Sequence, residues 1–108
     1  MPLRAQPLEL RARLPVLRAR LLALRLGRLK EEGPLHYPRI SLGKLNSVRT
    51  ALDVSRTART IFGAAGVTDD CPVMRHAANL ESILTYEGTE EIHTLIVGQE
   101  ITGLEAFR

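Results

Sequence analysis

Apolar residues recur at three- and four-residue intervals along most of the chain, and runs that alternate apolar with polar residues, as a half-buried strand requires, are absent. A chain with that period can bury its apolar side only by packing helix against helix. The pattern stops at three places: at Gly33-Pro34, at GAAGVTDD (residues 63–70) and at Gly88. Three breaks leave four segments, and the expected fold is all-α, an antiparallel bundle of about four helices.

Each break carries its own chemistry. In the first segment, leucines 10, 14, 17, 21, 24 and 29 are helically spaced with arginines between them. Pro15 lacks a backbone donor and favours a start or kink, so a helix is expected from about 16 to 32, closed by Gly33-Pro34. The second helix is expected over about 40–62, capped by Ser41 or a residue just before it, with Ile40, Leu42, Leu45, Val48, Leu52, Ile61 and Phe62 as its apolar positions. Ala51, Val54 and Ala58 are small enough for close helix approach. Gly63 suits the position just past the helix end, where a left-handed backbone costs glycine nothing. The third helix is expected over 72–86, with Pro72 in its first turn and Val73, Ala77, Leu80, Ile83 and Leu84 facing inward. Thr89 is expected to cap a fourth helix whose first turn carries Glu90 and Glu91, favourable at the positive end of the dipole. Ile92, Leu95, Ile96, Val97, Ile101, Leu104 and Phe107 spread over more than one stripe, so this helix needs cover on more than one side, from the bundle or from another subunit.

Charge is uneven. Residues 1–30 hold eight cations and one acid, whereas residues 51–108 hold four cations and nine acids, so the net charge of +3 describes one end only. The first helix can be read as a solvated basic face, an Arg-rich targeting segment or a nucleic-acid arm. Residues 1–30 contain no serine, and only 4% of the chain is aromatic, which disfavours the targeting reading and base-stacking platforms respectively. A lone cysteine, Cys71, rules out an internal disulfide, and three scattered histidines give no metal spacing.

The stretch TYEGTEEIH (residues 85–93) raises the sharpest question. Glu87 stands at the end of one helix, before a Gly-Thr corner and the next. One reading makes it a solvated helix-end acid. The other makes it a carboxylate projecting beyond its helix, where an apolar pocket would raise its pKa and fit it to remove a carbon-bound proton. Position alone leaves both open.

The blocks LALRLGRLKEEG, SLGKLNSVRTALDVSRTAR, GAAGVTDDCPVMRHAANLE and RHAANLESILTYEGTEEIHTLIVGQEITGLEAF resemble, in order and spacing, the C-terminal helical domain of the acyl-CoA dehydrogenases, most closely the glutaryl-CoA dehydrogenases among them. The likeness covers about residues 21–108; residues 1–20 form an atypical Arg/Leu/Pro-rich segment. The resemblance implies an FAD-dependent oxidoreductase acting on the Cα–Cβ bond of an acyl-CoA, in which Glu87 abstracts the α proton, hydride passes to the flavin and, in the glutaryl type, decarboxylation gives crotonyl-CoA. It implies that Gly88 and Thr89 approach the flavin and that the Gly63–Gly66 turn meets FAD from a neighbouring subunit. Arg75 matches the arginine of the RHA segment, with a helix-surface ion pair as its plainer reading, and His76 and His93 are expected to be structural or surface polar groups without a metal. The turn departs from the pattern Gly-Gly-x-Gly; if position 64 needs a positive φ, Ala64 is strained by about 1 kcal/mol.

Family members are several times longer, so the chain reads as the last part of such an enzyme, with FAD shared with other domains or neighbouring subunits. On that basis the isolated chain is expected to be inactive. The expected partners are an acyl-CoA in the complete enzyme and either a second copy, as dimer or tetramer, or the remainder of the dehydrogenase; no nucleic acid and no membrane span are expected. The compartment implied is the cytoplasm of a bacterium or the mitochondrial matrix of a eukaryote. The alternative is a non-catalytic helical oligomerisation module.

Overall fold

The computed structural model describes residues 8–106. Expectations for residues 1–7, for Phe107 and Arg108, and for the side chains of residues 8–12 lie outside the described residues. Four α-helices follow one another: α1 (Leu8–Glu32), α2 (Tyr37–Phe62), α3 (Val73–Thr85) and α4 (Glu90–Thr102), with a short 3-10 turn, Gly63–Val67, between α2 and α3. The all-α architecture is the one the period and the breaks require.

Two helix starts differ from expectation. α1 continues through Pro15 instead of beginning after it. The proline removes one backbone hydrogen bond, but the apolar residues on both sides keep the helix running. α2 begins at Tyr37, with Pro38 in its first turn, where a missing N–H goes unnoticed. Ser41 is therefore not a cap: it lies a full turn inside the helix and is completely buried. His36 holds the cap position in extended geometry (φ −61°, ψ 125°) with no side-chain cap bond. Pro72 likewise stands at the cap position of α3, just before its first turn.

α2 is the spine of the fold. α1, α3 and α4 each pack on it, and the 3-10 turn folds against its end and against α3. Its residues Leu45, Val48 and Leu52, spaced three and four apart, form the core with Cys71 and Val73. Ala51 and Val54 line an open groove between α1 and α2 with Val16, Ala19 and Ala23, and the close approach of the two helices lies instead at Gly43, where a Cβ would run into Leu26 Cδ1. Gly63 ends α2 at φ +60°, a conformation that strains any L residue, and the next turn needs no positive φ at Ala64. The expected strain at Ala64 is accordingly absent.

α4 packs on α2 with its other sides open. Ile101 and Leu104 are 78% and 74% exposed, and Ile92 and Leu95 are also exposed. The broad apolar surface read from the sequence is present, and little of the described protein covers it. Among the described residues no helix is long and apolar enough to cross a membrane.

Candidate active site

The α3–α4 corner, residues 86–89, holds two consecutive residues at positive φ. α3 ends as Tyr86 turns to extended geometry (φ −84°, ψ 163°). Glu87 then takes φ +54°, the one positive φ at a non-glycine residue among the described residues. A left-handed conformation at such a residue costs roughly 1 kcal/mol or more and persists only where surrounding bonds over-determine it. Gly88 follows at φ +91°, and Thr89 starts α4, its Oγ1 accepting the Ile92 N–H at 3.3 Å. The expected Thr89 cap is thus observed.

Two side chains hold the corner, and neither stands out in the sequence. Lys44 on α2 donates through Nζ to the carbonyl oxygens of Tyr86 and Gly88, the latter at 2.6 Å. The same ammonium lies 5.7 Å from the centre of the Tyr86 ring. Between these carbonyls, that of Glu87 accepts from His93 Nε2 at 3.1 Å. His93 Nδ1 meets the Ser41 hydroxyl at 2.8 Å. A carbonyl can only accept, so the neutral Nε2–H tautomer satisfies both contacts, with Ser41 donating to Nδ1. His93 is 3% exposed, and Ser41 is fully buried. Three consecutive carbonyls are thereby tied to α2, directly or through one imidazole. The Arg49–Glu90 ion pair adds a further tie between α2 and the first turn of α4.

The clamp grips only backbone atoms. Glu87 is exposed, and its carboxylate has no hydrogen bond or ion pair among the described residues. The corner thus fixes the backbone of Glu87 beyond the end of α3 and leaves its side chain exposed. Gly88 has a second reason to be glycine. A Cβ there would lie 2.7 Å from His93 Nε2, so the ring fills the space a side chain would take.

The other expected site residues lie elsewhere. Gly63 has nothing within 4 Å of where a Cβ would stand, whereas a Cβ on buried Gly66 would meet the Arg59 carbonyl at 2.7 Å. Gly63 is therefore open to an approaching group, and Gly66 serves the packing of its own turn. This turn sits at the C-terminal end of α2; Lys44, near the other end, is nineteen residues away, about 28 Å along the helix. Gly63 and Gly66 are not brought together with Glu87, Gly88 and Thr89. Arg75 and His76 are exposed on α3, and Arg75 lacks the ion pair expected of it among the described residues. No cluster of His, Cys, Asp and Glu among the described residues could hold a metal.

Comparison with known proteins gives this geometry its relatives. The family model described as acyl-CoA dehydrogenase, C-terminal domain, matches residues 3–102. Human mitochondrial short-chain specific acyl-CoA dehydrogenase is 32% identical over 90 residues, which is 83% of this chain and 21% of that protein. A crystal structure of glutaryl-CoA dehydrogenase from Mycobacterium smegmatis matches with a TM-score of 0.77 and 64% identity, over 82% of this chain and 23% of that one. A further structure, a glutaryl-CoA dehydrogenase from the same organism in complex with FADH2, matches with a TM-score of 0.76 and 53% identity. The chain spans about a fifth of the length of the human relative. It belongs to the acyl-CoA dehydrogenase family, in which it corresponds to the C-terminal domain.

Proposed function

We propose that this chain supplies the proton-abstracting carboxylate, Glu87, of an FAD-dependent acyl-CoA dehydrogenase of the glutaryl-CoA type, residues 21–108 being its C-terminal helical domain. The observation that carries the reading is the Glu87 backbone, held at φ +54° by bonds that leave the carboxylate unpaired. A solvated helix-end acid has no need of that strain, whereas a base must be aimed before the substrate arrives.

The division of labour follows from the residues present. Glu87 takes the proton from the carbon next to the thioester carbonyl, and the electron pair of that C–H bond moves toward the carbonyl oxygen. A flavin, when bound, supplies the acceptor for the hydride that leaves the neighbouring carbon. The residues of this chain fit such a group in two places. Thr89 Oγ1 accepts one bond from the Ile92 N–H and keeps its hydroxyl proton to donate, and Gly63 leaves its turn open. The distance between them along α2 supports a different protomer meeting each end of the cofactor. Loss of CO2 from an oxidised glutaryl chain, giving crotonyl-CoA, would complete the reaction. The remaining walls of the pocket, which would exclude water, are not made by these residues, so the isolated chain is expected to be inactive.

The test is Glu87→Gln in a full-length glutaryl-CoA dehydrogenase carrying this sequence as its C-terminal part. Turnover should fall by on the order of 100-fold or more, with the flavin absorbance retained. Full activity in that variant would sink the assignment. The second reading, a non-catalytic helical oligomerisation module, is favoured by the exposed Ile101 on α4 and Leu104 just beyond its end. It requires a dimer or tetramer of the isolated chain, so a monomer mass by light scattering at high concentration counts against it.

A further inference from the structure

The Glu87 side chain takes its direction from the main chain that bears it, and the two peptide planes meeting at its Cα are held by different side chains. The plane before it carries the Tyr86 carbonyl, which accepts from Lys44 Nζ. The plane after it carries the Glu87 carbonyl, which accepts from His93 Nε2 at 3.1 Å. Each peptide is rigid, so holding both planes fixes φ and ψ between them. Lys44 also reaches past Glu87 to the Gly88 carbonyl, at 2.6 Å. A cation suits this place, because the carbonyls that end α3 lack partners within the helix and carry the negative end of its dipole. Lys44 forms no ion pair with any acid among the described residues, Glu87 included. An ion pair with Glu87 would occupy the carboxylate that has to take the proton, whereas donation to the main chain does not.

From this we infer that Lys44 is a positioning residue for proton abstraction: it holds the backbone before Glu87 at the angle that directs the side chain toward the α carbon of the acyl-CoA. The inference rests on the assignment of Glu87 as the base. Among the described residues no other side chain bonds the Tyr86 carbonyl, so without Lys44 that plane can turn. Relaxation from φ +54° to the ordinary helical value near −63° swings the Cα–Cβ bond by about 120°. A misplacement of only about 1 Å can cost on the order of a hundredfold in rate. His93 shares the task but is harder to isolate. It is buried against Ser41, so its loss also disturbs the interior, whereas Lys44 is half-buried and bonds only the corner.

The test uses a full-length, flavin-loaded glutaryl-CoA dehydrogenase carrying this sequence as its C-terminal part. Lys44→Met, Lys44→Gln, Lys30→Met and Glu87→Gln are compared with the unaltered enzyme. Glutamine is one bond shorter than lysine and stays polar, so it breaks the clamp should the methionine variant fail to fold. Lys30, the chain's other lysine, is exposed, and Lys30→Met removes an equal charge that makes no bond to the corner. Flavin bleaching in anaerobic stopped flow at saturating glutaryl-CoA should slow about tenfold or more in both Lys44 variants, with the half-saturating concentration changed by less than about threefold. A second assay reads proton removal by itself. With the flavin reduced beforehand no hydride can leave, and uptake of solvent deuterium at the α carbon of glutaryl-CoA, followed by mass spectrometry, should slow by the same factor. Lys30→Met should match the unaltered enzyme in both assays. With Glu87→Gln slow, three results overturn the inference alone: a raised half-saturation at an unchanged bleaching rate, full-rate deuterium uptake in the Lys44 variants, or equal slowing by Lys30→Met. Full-rate deuterium uptake in Glu87→Gln instead removes the assignment of the base, and the inference with it.

Discussion

The contact between Ser41 and His93 is where the structure makes its most quantitative claim. His93→Leu keeps the apolar bulk but removes both ring nitrogens. Ser41 is fully buried, so its hydroxyl cannot turn to water and is left without an acceptor. Stranding such a group costs about 1–3 kcal/mol. The Glu87 carbonyl also loses its donor, but it sits at an exposed corner where water can replace it, adding at most about 1 kcal/mol. The expected loss is therefore about 1–4 kcal/mol. In a domain of this size each kcal/mol lowers Tm by about 4–8 °C. Ser41→Ala strands the other partner, the imidazole Nδ1, at about 1–3 kcal/mol. The double variant Ser41→Ala/His93→Leu strands neither, and any packing strain from the leucine cancels in the cycle. It should be at least about 2 kcal/mol more stable than the sum of the single losses implies. Urea unfolding followed by far-UV circular dichroism measures all four proteins. Additive losses within error would refute the claim that the two side chains are bonded and jointly buried.

Three further outcomes follow from other sites. Glu87→Gly should raise the unfolding free energy by about 1 kcal/mol, since glycine relieves the positive φ, while abolishing turnover in a complete enzyme; a less stable variant would contradict the assigned backbone strain. Lys44→Met should cost about 1–3 kcal/mol by releasing two corner carbonyls, and amide exchange should speed up around residues 86–89 before the rest of the chain, which hydrogen exchange with mass spectrometry can check. Cys71 is buried and free, so a thiol reagent should label it slowly in the native chain and promptly in denaturant. Fast native labelling would show that the core around Val73 opens readily.

Helix number and order were legible because they depend on local signals: a helical apolar period, Gly33-Pro34, Gly63 and the Thr89 cap. The start of α1 was obscured because Pro15 is a strong local signal that the leucines on either side outweigh. Ser41 resembled a cap by residue type, and only the pairing of α2 with α4 reveals it as the buried partner of a histidine fifty-two residues away. Lys44 was hidden in the same way. Nothing in its neighbourhood distinguishes it from a solvated lysine, since its partners are backbone carbonyls some forty residues on. Glu87 could be singled out through the resemblance of its flanks. Its left-handed backbone could not, because glutamate gives no local hint of a conformation that Lys44 and His93 impose from another helix and from its own sequel.

The single helix α2 joins the clamped corner at one end to the Gly63 turn at the other, and this makes the length of α2 a phase as well as a distance. One residue inserted between Lys44 and Gly63 would lengthen the separation by only about 1.5 Å but rotate one end relative to the other by about 100°. Insertions of three or four residues would nearly restore the orientation while lengthening the separation by about 5 Å. Viable length changes in α2 should therefore come in steps close to a whole turn. The exposed stretch from Thr68 to Asp70, which carries no such angular constraint, should accept additions one residue at a time.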